Sequence, residues 1–244
     1  MDKTLSKTRL SPMMASAVMY SGSSDEWTPE NCIWTDTGDF LKVISDYSEP
    51  IQGAIGNSYF IAALSSVAWS SPHLIVHRNR ANAAGRTARM STIQFYSKGG
   101  EKDAPTRKVE VSDKTVFKVS NNLPVYCRSS DSAEIFPSLY EKAFAKWIIQ
   151  TNSDKPDITK TAYGDPVKAM AQLNNKTPHY YCTDSRTGDE LYSIVRSNSM
   201  SYKTIHPMVA WTYGSNSDYT GINIVGNHAY SVLGWALKGI KKYF

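Results

Sequence analysis

The stretch Gln52-Gly53-Ala54-Ile55-Gly56-Asn57-Ser58-Tyr59-Phe60-Ile61-Ala62-Ala63-Leu64-Ser65-Ser66-Val67-Ala68-Trp69 decides how the chain reads. Two glycines sit in a short loop, and from Ser58 onward almost every residue is apolar or small. The pattern predicts a helix over Ser58 to Trp69 that is buried all round rather than amphipathic. Ser71-Pro72 mark its end. Ser58 falls at the helix N-terminus, where free backbone N–H groups and the helix dipole favour negative charge. A thiol in such a place has a depressed pKa. Gln52 lies six residues before Ser58 and is a candidate amide donor toward a developing oxyanion. Taken singly, Ser58 reads as a helix N-cap and Gln52 as a surface loop residue.

The second stretch with chemical character is Gly226-Asn227-His228-Ala229-Tyr230-Ser231-Val232. Here a histidine opens an apolar strand between small residues, which lets it approach another backbone closely. The other histidines have no comparable setting. His73 and His77 follow the Ser71-Pro72 break, His179 is in a polar loop, and His206 precedes Pro207.

Between and around these stretches, apolar spacing predicts further elements. Ile135, Leu139, Phe144 and Trp147 place a packing face on a helix over about Ser132 to Gln150. Asp165-Pro166 opens another helix with Val167, Met170, Ala171 and Leu173 on its apolar side. A fourth helix is expected over Glu190 to Asn198. Strands are expected at Thr92 to Ser97, Lys108 to Val111 and Thr115 to Val119, then at Met208 to Tyr213, Ala229 to Leu237 and Ile240 to Phe244. The last two should form a hairpin across Gly239. Helices come first and strands last, an α+β order rather than a βαβ alternation. Residues 1–24 read as a loosely held arm, 25–164 as a helical lobe, and 165–244 as a β-rich lobe. Ala81 to Arg89 and Lys98 to Lys108 read as mobile loops.

Composition narrows the function classes. The 244 residues carry 27 basic and 22 acidic side chains, a net charge of +5 that is scattered rather than striped. Nucleic acid is therefore not an expected partner. No run approaches the ~20 apolar residues of a membrane helix. Cys32, Cys127 and Cys182 are too few and too far apart for a disulfide framework or a zinc site. The N-terminal residues lack a continuous apolar leader core. A cytoplasmic protein is the expectation, with a processed secreted form as its alternative.

Taken together, the two stretches resemble the calpain-type cysteine peptidases. Gln52 to Ala63 is similar to their Gln-Gly-x-x-Gly-[Asp/Asn]-Cys-[Trp/Tyr]-x-x-Ala-Ala nucleophile motif, and Gly226 to Val232 to their histidine motif. Leu139-Tyr140-Glu141-Lys142-Ala143-Phe144-Ala145-Lys146 resembles their Leu-x-Glu-Lys-Ala helix. Leu123-Pro124 resembles a further family stretch, with Asn121-Asn122 standing where that family has acids. The elements occur in family order from about Trp27 to Phe244. The resemblance implies a papain-like α+β core, with a cleft between a helical lobe and a β-rich lobe. It implies position 58 as nucleophile, His228 as acid–base, Gln52 in the oxyanion hole, and a peptide or protein substrate. No cofactor is implied for the chemistry. Glu49 and Glu141 fall where calcium ligands of the family are expected, with a structural salt bridge as the other reading of Glu141; no EF-hand loop occurs.

Two departures stand out. Position 58 holds serine instead of cysteine, and no Asn, Asp, Gln or Glu follows His228 to orient its ring. Trp235 to Phe244 reads as the lead-in to the family's Asn-Pro-Trp motif. A serine hydroxyl is far less acidic than a thiol, and Phe60 replaces the second glycine of a Gly-x-Ser-x-Gly elbow. The sequence therefore predicts an inactive cysteine-endopeptidase core. A natural pseudopeptidase that binds peptides or a partner is the alternative.

Overall fold

The structure, a computed structural model, describes residues 26–36, 50–76, 90–100, 102, 107–214 and 219–244. In chain order the elements are β1 (Cys32–Asp36), β2 (Pro50–Ile51), α1 (Ser58–Ser70), α2 (His73–Val76), β3 (Met90–Phe95), β4 (Arg107–Ser112), β5 (Lys114–Lys118) and β6 (Arg128–Ser129). There follow α3 (Phe136–Ile149), a 3-10 turn at Ile158–Thr161, α4 (Pro166–Asn174), α5 (Gly188–Ser197), β7 (Ser199–Met200), β8 (Lys203–Thr204), β9 (Val209–Trp211), β10 (Ala229–Ser231), β11 (Ala236–Lys238) and β12 (Lys241–Tyr243). The expected arm and the loop at 81–89 lie outside the described residues. No helix among the described residues is long and apolar enough to cross a membrane.

The core forms around α1, whose residues 59–68 are all buried. Phe60 stacks on Phe144 of α3 with ring centroids 4.0 Å apart. Phe95 of β3 stacks on Trp147 at 5.1 Å. Ile93, Val109 and Val111 close the same cluster from the β3–β4 pair. Ala169 and Leu173 of α4 also belong to it. The helix that opens the expected C-terminal lobe thus packs with α1, across the 164/165 divide. Asp165 caps α4 by accepting from Val167 and Lys168 N–H groups, as its position before Pro166 predicts. Thr187 and Glu190 build a capping box on α5, which starts two residues before the expected Glu190.

Helix α3 buries polar residues as well as apolar ones. Lys142 is 1% exposed, and its Nζ donates to Ser112 O, Lys114 O and Asp154 Oδ2 at 3.0–3.1 Å. A buried ammonium is costly unless so satisfied. Burial alone would raise the Asp154 carboxyl, but Lys142 and the Ser112 hydrogen bonds override it and hold it below its ordinary range. This network ties α3 to the β4–β5 turn.

The strands pair only in twos among the described residues: β1 with β5, β2 with β6, β3 with β4, β7 with β8, β9 with β10, and β11 with β12. The expected single strand from Ala229 to Leu237 is two. Its first part pairs with β9 and its last part with β12. Gly234 separates them, because a Cβ there would lie 2.0 Å from Tyr202 O. Trp235 N–H donates to that same carbonyl at 3.0 Å. The hairpin across Gly239 forms, with that glycine at φ +62°.

Removing the ring at the centre of the aromatic stack tests this core. Phe144→Ala is expected to cost about 3–5 kcal/mol of unfolding free energy, measured by urea titration.

Candidate active site

The loop before α1 is fixed by close backbone approach. A Cβ on Gly53 would lie 2.3 Å from the carbonyl carbon of Tyr126, so only glycine fits. Ala54 N–H donates to Val125 O at 3.0 Å beside it. Gln52 turns its Nε2 to Ile55 O at 2.5 Å, which holds the amide against its own loop. One of its two N–H bonds is thereby used. Tyr163 N–H donates to Gly56 O at 3.0 Å and closes the loop from the other side.

Asn57, not Ser58, is the N-cap of α1, and Ser58 is the first helical residue. The Asn57 carbonyl accepts from Phe60 and Ile61 N–H groups, but its side chain makes no capping bond. Asn57 Nδ2 instead donates to Glu141 Oε1 at 2.7 Å and to Thr161 Oγ1 at 3.0 Å. Cys127 N–H donates to the second carboxylate oxygen of Glu141 at 2.9 Å.

Ser58 faces the β9–β10 pair. Its Oγ accepts from Ala229 N–H at 3.3 Å, which sets it beside the residue following His228. His228 is anchored by its backbone: its N–H donates to Thr212 Oγ1, and its carbonyl accepts from Thr212 N–H, both at 3.0 Å. Its ring lies 4.7 Å from that of Tyr230. His228 Nδ1 is buried and has no hydrogen-bond partner among the described residues. A half-buried serine at a helix N-terminus thus lies against the backbone of the residue that follows His228, whose Nδ1 has no hydrogen-bond partner among the described residues.

The remaining candidates fall elsewhere. Glu141 is fully buried, and its two neutral donors make it part of the scaffold. Glu49 lies outside the described residues, and no group of three or more metal-ligating side chains occurs among those described. His73, His179 and His206 are exposed, and His77 lies outside the described residues. Cys127 is buried, and burial pushes its thiol well above the ordinary range, so it is no nucleophile. Two residues escaped the sequence reading. Asn57 has an ordinary N-cap identity, and only the fold diverts its amide. Tyr163 is 82% exposed at φ +60° beside Gly56, and no periodic signal marks it.

Comparison with known proteins bears on this geometry. The calpain family cysteine protease model matches residues 12–242. A thiol protease of Porphyromonas gingivalis is 28% identical over 200 residues, which cover 77% of this chain. The match covers 40% of that relative's length.

The buried carboxyl gives a measurable pH dependence. Burial raises Glu141 from 4.5 to about 7, against the opposing bonds from Asn57 and Cys127. Between those values the folded state holds a proton that the unfolded chain has lost. Stability from this group is present below pH 4.5 and falls by about 3 kcal/mol as pH rises to 7. Urea unfolding at both pH values should show this slope, and Glu141→Gln should flatten it.

Proposed function

The chain belongs to the calpain family of cysteine proteases, and on that premise we propose that it is a peptidase core whose nucleophile position, residue 58, holds serine. The observation that carries this reading is the contact of Ser58 Oγ with the Ala229 N–H, next to His228. It joins the N-terminus of a buried helix to the strand that starts directly after the histidine.

With cysteine at 58, the site supports acyl transfer. The helix N-terminus and His228 stabilise the thiolate. The thiolate attacks a peptide carbonyl, and the resulting oxyanion is held by the N–H of residue 58 and by Gln52 once its amide leaves Ile55 O. His228 gives its proton to the departing amine, and water then releases the acyl group. All the groups are side chains and backbone, so the chemistry calls for no cofactor. With serine at 58 the first step fails, because neither the dipole nor the imidazole ionises a hydroxyl. The protein as it stands therefore binds peptide substrates without turning them over.

The same serine favours a second reading, a pseudopeptidase whose cleft holds a peptide or partner protein as its function. The two differ in whether the site can still activate a thiol. In Ser58→Cys, iodoacetamide at pH 7 is expected to label the introduced thiol about tenfold faster than exposed Cys182. His228→Ala in that background should remove the advantage. Peptide mapping by mass spectrometry gives both rates. Equal labelling of the two thiols would favour the pseudopeptidase.

A further inference from the structure

Asn57 presents an anomaly. Asparagine is among the strongest N-cap residues because its Oδ1 accepts from the second or third helical N–H group. Here Asn57 occupies the N-cap of α1 and makes no such bond. Its Oδ1 is buried with no hydrogen-bond partner among the described residues, a costly condition. What holds the amide in this position is visible: Nδ2 is drawn to Glu141 Oε1 and Thr161 Oγ1. The Thr161 hydroxyl spends its own proton on Ile158 O at 2.8 Å, so it can only accept from Asn57.

Glu141 is an expensive clamp. A carboxyl buried to this degree costs several kcal/mol, yet two donors on different segments converge on it. One is the loop residue directly before position 58. The other is Cys127 N–H, which follows the Val125–Tyr126 backbone against which Gly53 packs. A single side chain thus fixes the nucleophile-bearing end of the loop relative to the wall behind Gln52.

We propose that Glu141 is a positioning residue for the nucleophile position: it holds the Asn57 amide away from the first turn of α1, leaving the Ser58 and Tyr59 N–H groups, which the Asn57 carbonyl does not engage, open to the charge that develops at residue 58. This rests on the peptidase reading given above. Without the clamp, Asn57 Oδ1 would swing back to cap its own helix. The helix would gain an ordinary hydrogen bond, and the site would lose part of its positive end. The chain accepts an unpartnered amide oxygen and a buried carboxyl to prevent that.

The test uses the full chain carrying Ser58→Cys, with alkylation of the introduced thiol followed against pH and Cys182 as internal reference. Adding Glu141→Gln should slow labelling at position 58 about tenfold near pH 6 and move the midpoint of its pH profile upward, with Cys182 unchanged. Where Glu141 is ionised, above about pH 7, losing its negative charge would by itself move that midpoint downward, so an upward movement separates positioning from simple electrostatics. If Glu141→Gln does not fold, Thr161→Val removes the second acceptor of Asn57 and should slow labelling about threefold. A profile at position 58 unmoved by Glu141→Gln, or by Thr161→Val where that is the variant available, overturns the positioning role and leaves the peptidase reading standing. A thiol in Ser58→Cys no more reactive than Cys182 overturns both.

Discussion

One face of α1 is stitched to the strand segments by hydrogen bonds, and the site exists because of that seam. Ser58 Oγ accepts from Ala229 N–H, and Ser231 Oγ donates to Ala62 O at 2.9 Å. Ser66 Oγ both donates to Met208 O and accepts from Met208 N–H at 2.7 Å. Trp69 Nε1 donates to Leu233 O at 2.7 Å. Residues 58, 62, 66 and 69 recur at helical spacing, so they form a single stripe. The opposite side of the same helix carries Phe60 into the aromatic stack with Phe144. Burial on one side and backbone recognition on the other leave α1 little freedom to rotate. The direction in which residue 58 points follows from both.

Small residues are needed at positions 58, 62 and 66 of that stripe for a second reason. A strand can donate its own backbone groups to a helix only where the helix offers no bulk between them. Alanine and serine meet that requirement, and serine adds a group able to pair with peptide groups of Met208 and Ala229. The histidine-bearing strand is held in turn by Thr212, which contacts both backbone groups of His228. The imidazole is therefore positioned mainly through its main chain, and its Nδ1 stays without a partner among the described residues.

The chemistry of the site is set by the end of α1 more than by any single side chain. On the proposed reading, the helix dipole and the imidazole both favour negative charge at residue 58. Serine accepts none of that assistance in the ground state, since its hydroxyl remains protonated. The scaffold suits a thiolate while the residue occupying it is a hydroxyl. That mismatch links the family membership of the chain to the proposed lack of turnover.

Local pattern determined a good part of this protein. The apolar run after Asn57 specified α1, and the Asp165-Pro166 pair specified the start of α4, while the start of α5 lies two residues before the expected Glu190. Each depends on neighbours a few residues away, so each is legible along the chain. The order of the motifs likewise carried the α+β core and pointed to Gln52, Ser58 and His228 as candidates. Tertiary structure alone decided the rest. Gly234 breaks a run that reads as one strand because Tyr202 O, 32 residues earlier in the sequence, occupies the space of a Cβ. Glu141 read as a cation ligand or salt-bridge partner, and its two donors, Asn57 and Cys127, come from distant segments with no spacing relation to it. Asn57 read only as the residue before the helix and as the match to the motif's [Asp/Asn] position. Hydrophobic periodicity announces which face of an element is buried, but it does not say which polar group will be waiting there. That choice is made when the core closes and each buried donor must find an acceptor.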